Sequence, residues 1–418
     1  MASKKISTEH YKGVRDFYPQ DQFVQRYIFE AMARSCESFG YEEYSASILE
    51  PADLYRSKGN QEIIDEQTYT FTDRGDREVT LRPEMTPTVA RMIAEKAREI
   101  PQPIRWYSIP NVFRYERPQK GRLREHWQLN ADIFGVAGIE AEVEILSLAH
   151  RVMVTLGAAE GDFEIQVSDR RLLQKIFEAI ELTPEETKET MGLLDRRTKV
   201  ADFGSDLAKL IGTDRALTLI QGLDRASSTA YLEDLLGRLH NLGITNVSVN
   251  TSIVRGFDYY TGMVFEVFDS SVENSRSLFG GGRYDNLLEN FGVPAIPAVG
   301  FGMGDVTARD FLEVRGLIPE YTPATELILC PLSKEVVPHA MALAENLRDE
   351  DVTVAVNYSL KKAGEQIRYA DKIGAGFIII IGEKEIAHNQ YTIKHLSSGD
   401  EKTVAAEHIS EHMFGAQG

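Results

Sequence analysis

The strongest constraint on the fold is the stretch HWQLNADI at 126–133, in which His126, Gln128, Asn130 and Asp132 alternate with Trp127, Leu129, Ala131 and Ile133. A period of two predicts a β-strand with the polar set on one face and the apolar set on the other. Inside a chain of 418 residues the apolar face must meet a core. The polar face is then either a ligand floor or a solvated sheet surface, and the alternation alone leaves both open.

This strand is preceded by FRYERPQKGRLR, and the positions from Arg114 to Glu125 hold five basic and two acidic residues. The whole chain is acidic, with 46 Lys and Arg against 64 Asp and Glu. Long-range repulsion opposes indiscriminate adhesion to nucleic acid, but it does not exclude a nucleic acid held at one basic patch. We expect a turn at Gly121 joining two strands, with Arg114 and Glu116 two positions apart on the first and able to face one ligand. An arginine there can clamp a phosphate, and the carboxylate can accept a base amino group; a cross-strand ion pair is the alternative. Arg117, Lys120, Arg122 and Arg124 extend into the loop, where a polyanion explains their density better than a local acidic partner.

At this length two or three domains are expected. Helices are predicted over 22–39, 89–100 and 141–156, with short strands around Gly75. The stretch 161–250 reads as a mostly helical insertion. From about 325 apolar strands such as FIIIIG alternate with helices, as in a compact α/β domain, and 319–323 reads as its hinge. No apolar run is long enough to cross a bilayer and the N-terminus lacks a signal-peptide core, so a soluble cytoplasmic protein is expected. Cys36 and Cys330 form neither a disulfide framework nor a metal cluster.

Three further stretches carry polar chemistry. In RPEMT, Glu84 and Thr86 can bind a small polar substrate, although Thr86 capping a helix explains the same letters. In RGFDYYTG, Arg255, Asp258, Tyr259 and Tyr260 can orient a small zwitterion with an aromatic or imidazole ring, or the tyrosines can be core. In FGGGRYD the glycines permit close backbone approach and Arg283 and Tyr284 can close a pocket, or the stretch is a hairpin turn. It matches neither a dinucleotide fingerprint nor a P-loop.

Taken in order and spacing, the segment 114–132, RGFDYYTG and FGGGRYD resemble the histidyl-tRNA synthetases, a class II aminoacyl-tRNA synthetase family. KGVRDFYP, LRPEMT, YADKIGA and FIIIIG add to the resemblance, which covers nearly the whole chain. It implies an α+β fold, an antiparallel sheet flanked by helices, with catalytic parts at 1–160 and 251–320, a helical insertion at 161–250 and an anticodon-binding α/β domain at 325–418. It implies ATP with Mg²⁺, L-histidine and tRNA(His) as ligands, and a cytoplasmic homodimer with Pro51 near its interface.

By position, Arg114 and Arg255 resemble the family's catalytic arginines. Arg114, Glu116 and Arg122 would bind ATP. Glu84, Thr86, Gln128, Asp132, Arg255, Tyr259, Tyr260 and Tyr284 would bind histidine, and Gln119, Arg117 and Arg124 would meet the tRNA acceptor end. Lys361, Lys362, Arg368 and Lys372 offer cations to RNA, as would a solvated helix face. Two departures stand out. Asp132 replaces the usual glutamate, and Thr307 occupies the position of the arginine that ordinarily grips the ATP γ-phosphate. Arg309 lies roughly 200° further around a regular helix. A non-catalytic histidine-binding paralogue, such as the regulatory subunit of ATP phosphoribosyltransferase, is the alternative. Retained loop residues and the C-terminal domain favour the synthetase.

Overall fold

The structure, a computed structural model, describes residues 6–56, 67–119, 121–195, 197, 202–226, 229–253, 259–271 and 276–415. Arg255 and Asp258 lie outside the described residues, as does Lys120. The chain divides into two units, 1–319 and 320–418.

The first unit opens with helix α1 (Pro19–Ser38). It starts earlier than the apolar spacing predicts, because a proline in the first turn has no N–H to lose and brings its φ already set. Strands β1 (Glu42–Glu43), β2 (Leu49–Pro51), β3 (Tyr69–Thr72) and β4 (Glu78–Leu81) follow, the last three forming a small antiparallel sheet. Helix α2 spans Thr86–Glu95, a shift toward the N-terminus from the expected 89–100; Pro87 sits in its first turn and 96–100 fold into turns. Strands β5 (Ile104–Ser108), β6 (Asn111–Phe113) and β7 (Glu125–Phe134) come next, then helix α3 (Glu140–Thr155) and β8 (Phe163–Asp169). Helices α4 (Arg170–Ala179), α5 (Pro184–Asp195), α6 (Phe203–Ile211), α7 (Thr213–Ala226) and α8 (Ala230–Asn241) precede β9 (Val247–Val249). The unit closes with β10 (Met263–Asp269), β11 (Ser277–Arg283), β12 (Ala298–Gly304) and helix α9 (Asp305–Arg315).

Nine of these strands form one sheet in the order β1-β5-β7-β12-β11-β10-β8-β9, with β6 paired to the start of β7. Neighbours are antiparallel except at the two ends, β1 with β5 and β8 with β9. The alternation in β7 separates the faces as its sequence requires. Leu129, Ala131 and Ile133 join Phe265, Phe301 and Met303 in a core covered by Ile28 and Met32 of α1, Ile145 and Val152 of α3, and Leu235 and Leu239 of α8. The opposite face carries Gln128, Asn130 and Asp132, with Gly304, Gly302 and Gly300 directly across on β12.

The stretch 161–250 is less separate than its composition suggests. Both β8 and β9 belong to the main sheet, and α8 to its core. Helices α4 to α7 build a second core around Leu173, Phe177, Leu207, Leu219 and Leu223.

The second unit runs β13 (Leu327–Pro331), α10 (Val337–Asp349), β14 (Val354–Val356), α11 (Ala363–Lys372), β15 (Phe377–Ile381), β16 (Gln390–His395), β17 (Glu401–Ala405) and α12 (Ile409–Gly415). Its sheet order is β14-β13-β15-β16-β17, parallel over the first three strands and antiparallel beyond. Where one final strand was expected there are two, β16 and β17. Leu327, Leu329, Ile379 and Ile381 face one core, and Ile328, Cys330 and Ile378 face another. Strands buried on both faces must be apolar at every position, which is why FIIIIG shows no alternation. Among the described residues no helix is long and apolar enough to cross a membrane.

Candidate active site

The polar face of β7 is kept open by glycines. Gly300 lies opposite Asp132 and Gly282, and Gly302 opposite Asn130 and Gly280. A Cβ on Gly300 would run into the Asp132 carboxylate, and one on Gly302 into the Gln128 amide. On Gly282 it would meet the Tyr260 ring at 3.0 Å and the Met263 carbonyl at 2.6 Å. The three consecutive glycines of FGGGRYD are therefore neither a phosphate loop nor a hairpin turn. They are strand residues that let neighbouring side chains lie flat across the sheet.

Over this floor stand two buried carboxyl groups. Asp132 is 3% exposed and Glu84, which precedes α2, is 4% exposed. The Tyr284 hydroxyl donates to Asp132 Oδ1, while Asp132 Oδ2 and Glu84 Oε2 are buried without a hydrogen-bond partner. Burial pushes both groups up to about 7; the Arg114 charge partly offsets this at Glu84, and the Tyr284 hydrogen bond does so at Asp132. Burial first, and the charges of Glu84 and Asp132 after it, raise the phenols of Tyr259 and Tyr260, and Tyr284, bonded to Asp132, packs against Tyr259. Ring centroids lie 5.0 Å apart for Tyr259 and Tyr260 and 5.6 Å apart for Tyr259 and Tyr284. A buried acceptor oxygen without a donor is costly unless a ligand supplies one. Two such oxygens walled by aromatic rings suit a small cation carrying N–H groups and a flat ring.

Thr86 does not cap α2. The N-cap position is Met85, and the Thr86 side chain instead hydrogen-bonds Tyr259. Gln128 donates through Nε2 to Asn130 Oδ1 at 2.7 Å. His126, at the mouth of β7, is pushed down to about 3 by burial and by the charges of Arg114 and Arg15, and so stays a neutral imidazole.

The basic loop is organised differently from the expectation. β6 ends at Phe113, so Arg114 and Glu116 sit beyond the strand in a turn, where the Glu116 N–H bonds the Arg114 carbonyl. Arg114 donates through Nε to the Pro83 carbonyl at 2.9 Å, which ties the loop to the segment holding Glu84. Gln119 and Arg122 pair through their backbones around Gly121, whose φ is +77°. Arg122 has a local acidic partner after all, Glu116 at 3.5 Å. Arg124 donates to the Tyr11 hydroxyl at 2.9 Å and lies over the Tyr115 ring at 4.0 Å. Arg117 and Gln119 are exposed.

Arg283 does not close the pocket. It forms a bidentate pair with Glu142 of α3 at 2.6 and 2.5 Å and donates to the carbonyls of Val136 and Gly138. Arg309 pairs with Asp21 of α1 and Glu313, both at 3.0 Å, which directs it away from the position Thr307 occupies. The Thr307 hydroxyl is bound to the carbonyls of Leu278 and Gly304.

Two residues that sequence reasoning passed over complete the site's edge. Asp305, fully buried at the head of α9, accepts from Arg15 at 2.6 Å, Gln25 at 2.8 Å and the Trp127 N–H at 2.9 Å. Arg15 lies inside the resemblance segment KGVRDFYP and Asp305 two residues before Thr307, and nothing local marks them as a pair.

Comparison with known proteins gives a consistent result. The histidyl-tRNA synthetase family model matches residues 13–304, and an anticodon-binding domain model matches 326–413. The histidine–tRNA ligase of Leptospira biflexa is 41% identical over 96% of both chains, and that of Thermoplasma volcanium is 36% identical over 96% of both. The crystal structure of histidyl-tRNA synthetase from Nostoc sp. PCC 7120 superposes with a TM-score of 0.81 at 23% identity, covering 99% of this chain and all of that one.

Proposed function

From a chain that belongs to the histidyl-tRNA synthetase family, we infer an activity and the residues that carry it. The activity is that of a class II histidine–tRNA ligase: L-histidine and ATP give histidyl-adenylate and pyrophosphate, and the histidyl group passes to the 3′ end of tRNA(His). The observation that carries the assignment of residues is the pair of partnerless carboxylate oxygens, Glu84 Oε2 and Asp132 Oδ2, in one tyrosine-walled space.

Histidine offers an ammonium group and an imidazole N–H, which are the donors those oxygens lack. Asp132, oriented by Tyr284, and Glu84 receive them, and Gln128 and Thr86, the latter through Tyr259, complete the pocket with Tyr260. Arg114 faces the phosphate whose phosphorus the histidine carboxylate attacks. A fixed cation there stabilises charge that develops only in the transition state. Arg255, outside the described residues, is assigned the histidine carboxylate by resemblance. Glu116, with Arg122 beside it, lies at the adenine side.

ATP enters with its own Mg²⁺, which neutralises phosphate charge as part of the substrate; among the described residues no group of three or more His, Cys, Asp and Glu could hold a metal. Arg117 and Gln119 meet the acceptor end, with Arg124 anchoring their loop against Tyr11 and Tyr115. In the second unit the exposed Arg368, Tyr369 and Lys372 lie on α11, and the exposed Tyr358, Lys361 and Lys362 precede it, a surface suited to unpaired bases and phosphates. We assign a cytoplasmic homodimer as well. On the small sheet, Leu49, Pro51, Tyr69, Phe71 and Leu81 share one face, and Leu49 and Phe71 remain 40% and 49% exposed.

The test is histidine-dependent exchange between ATP and pyrophosphate. We expect exchange with histidine and with no other amino acid, and Arg114→Ala should reduce it roughly 100- to 1,000-fold. Histidine binding without exchange would instead support the regulatory paralogue.

A further inference from the structure

We propose that Arg15, anchored by Asp305 at the head of α9, is a second phosphate-binding arginine of the nucleotide site and grips the terminal phosphates of ATP beside Arg114. The proposal rests on the ATP reading above. Three observations carry it.

First, Arg15 is held in place without being used up. Its Nη2 donates to Asp305 Oδ2 at 2.6 Å, and its guanidinium packs over the Phe17 ring at 4.9 Å. Its Nε is buried without a hydrogen-bond partner, and its side chain keeps 22% exposure. A guanidinium has five N–H groups in a rigid fork, so one edge can hold a carboxylate while another meets an anion.

Second, Arg15 shares its neighbourhood with Arg114. Both charges act on the buried His126 ring, and that ring lies against the start of α9, since a Cβ on Gly304 would stand 3.8 Å from His126 Cδ2 and 3.7 Å from Thr307 Oγ1. Two arginines near one neutral imidazole at a helix N-terminus, only one of them paired with a carboxylate, leave an excess of positive charge that favours an anion.

Third, other arginines around this end of the site are committed elsewhere. Arg309 is bound to Asp21 and Glu313, Arg122 is paired with Glu116, and Arg124 is stacked on Tyr115. Thr307 turns its hydroxyl to backbone carbonyls. Asp305, two residues before Thr307 on the same helix, brings in the cation from the N-terminal segment.

The experiment compares the affinities of the full-length protein for ATP and AMP by calorimetry, with exchange kinetics alongside, in wild type, Arg15→Gln and Arg15→Lys. Histidine binding reports folding. Arg15→Gln should lower ATP affinity and raise the KM for ATP roughly 10- to 100-fold, the effect of one charge-assisted hydrogen-bond pair, while AMP binding stays within about twofold. Arg15→Lys keeps the ion pair to Asp305 but loses the fork, so its ATP-to-AMP affinity ratio should fall several-fold. That variant decides the matter if Arg15→Gln does not fold. An unchanged ratio in Arg15→Lys, or equal losses of ATP and AMP, would overturn the assignment. Absence of exchange in the wild type would instead remove the reading on which it rests.

Discussion

Burial raises the carboxyl groups of Glu84 and Asp132 to about 7 from ordinary values of 4.5 and 3.8, and this has a sign that experiment can read. A carboxyl group whose pKa is raised by folding costs nothing while both states are protonated, below pH 4 or so. The cost grows as pH rises through 7 and is then constant, on the order of 3 kcal/mol for each group. The unliganded protein should therefore lose thermal stability between about pH 4 and pH 7, and histidine should restore much of it above that range by pairing the charges. Glu84→Gln should melt above wild type at pH 8 but not at pH 4, while binding histidine roughly 10- to 100-fold more weakly. Thermal scans at both pH values with calorimetric titration check this; equal melting temperatures at pH 8 would mean that Glu84 is not an unpaired buried charge.

At the scale of elements, the faces of β7 and β11 depend on what holds the strands in place. Arg283 at the end of β11 is locked to Glu142 of α3, and Tyr231 also donates to Glu142, at 2.9 Å. Removing the acid takes away the bidentate partner and leaves the buried guanidinium with the single carboxylate contact to Asp285 at 3.2 Å. Glu142→Ala should thus cost about 3–5 kcal/mol, seen as a lowered denaturant midpoint, with weaker histidine binding because Tyr284 follows Arg283 directly. The sequence shows such elements unevenly. The alternation in β7, the strands around Gly75 and the apolar strands of the second unit are local patterns, and the structure has strands at all three. β8 and β9 are hidden inside a helical stretch, because β10, the partner that seats β8 in the sheet, is remote in sequence. The spacing of Arg114 and Glu116 fits a strand that in fact ends at Phe113, since spacing cannot show where backbone pairing stops. The Arg15–Asp305 pair spans 290 positions, and no local window contains both residues. Glu84 and Tyr284 stand in short polar stretches that suggest a pocket, but only the resemblance joins the two stretches in one site.

At the scale of the whole molecule, each unit has hydrophobic cores of its own among the described residues. A chain ending at 319 should therefore fold and keep histidine-dependent exchange within a few-fold of the full protein. Charging of tRNA(His) should fall roughly 100-fold, since a second linked contact raises effective affinity by about that factor. Parallel exchange and charging assays distinguish this from general loss of activity. The strict alternation of β7 also has a genetic consequence. Loss of one codon within 126–133 preserves the reading frame but slips the strand by one position and exchanges its faces. Asp132 would then point toward the side where Phe301 and Met303 pack, and Ala131 or Ile133 would take its place on the floor. Loss of a codon from the 114–124 loop leaves both faces of the strand as they are. For this short span of the gene, an in-frame deletion should remove the floor of the site while leaving the second unit's sequence intact.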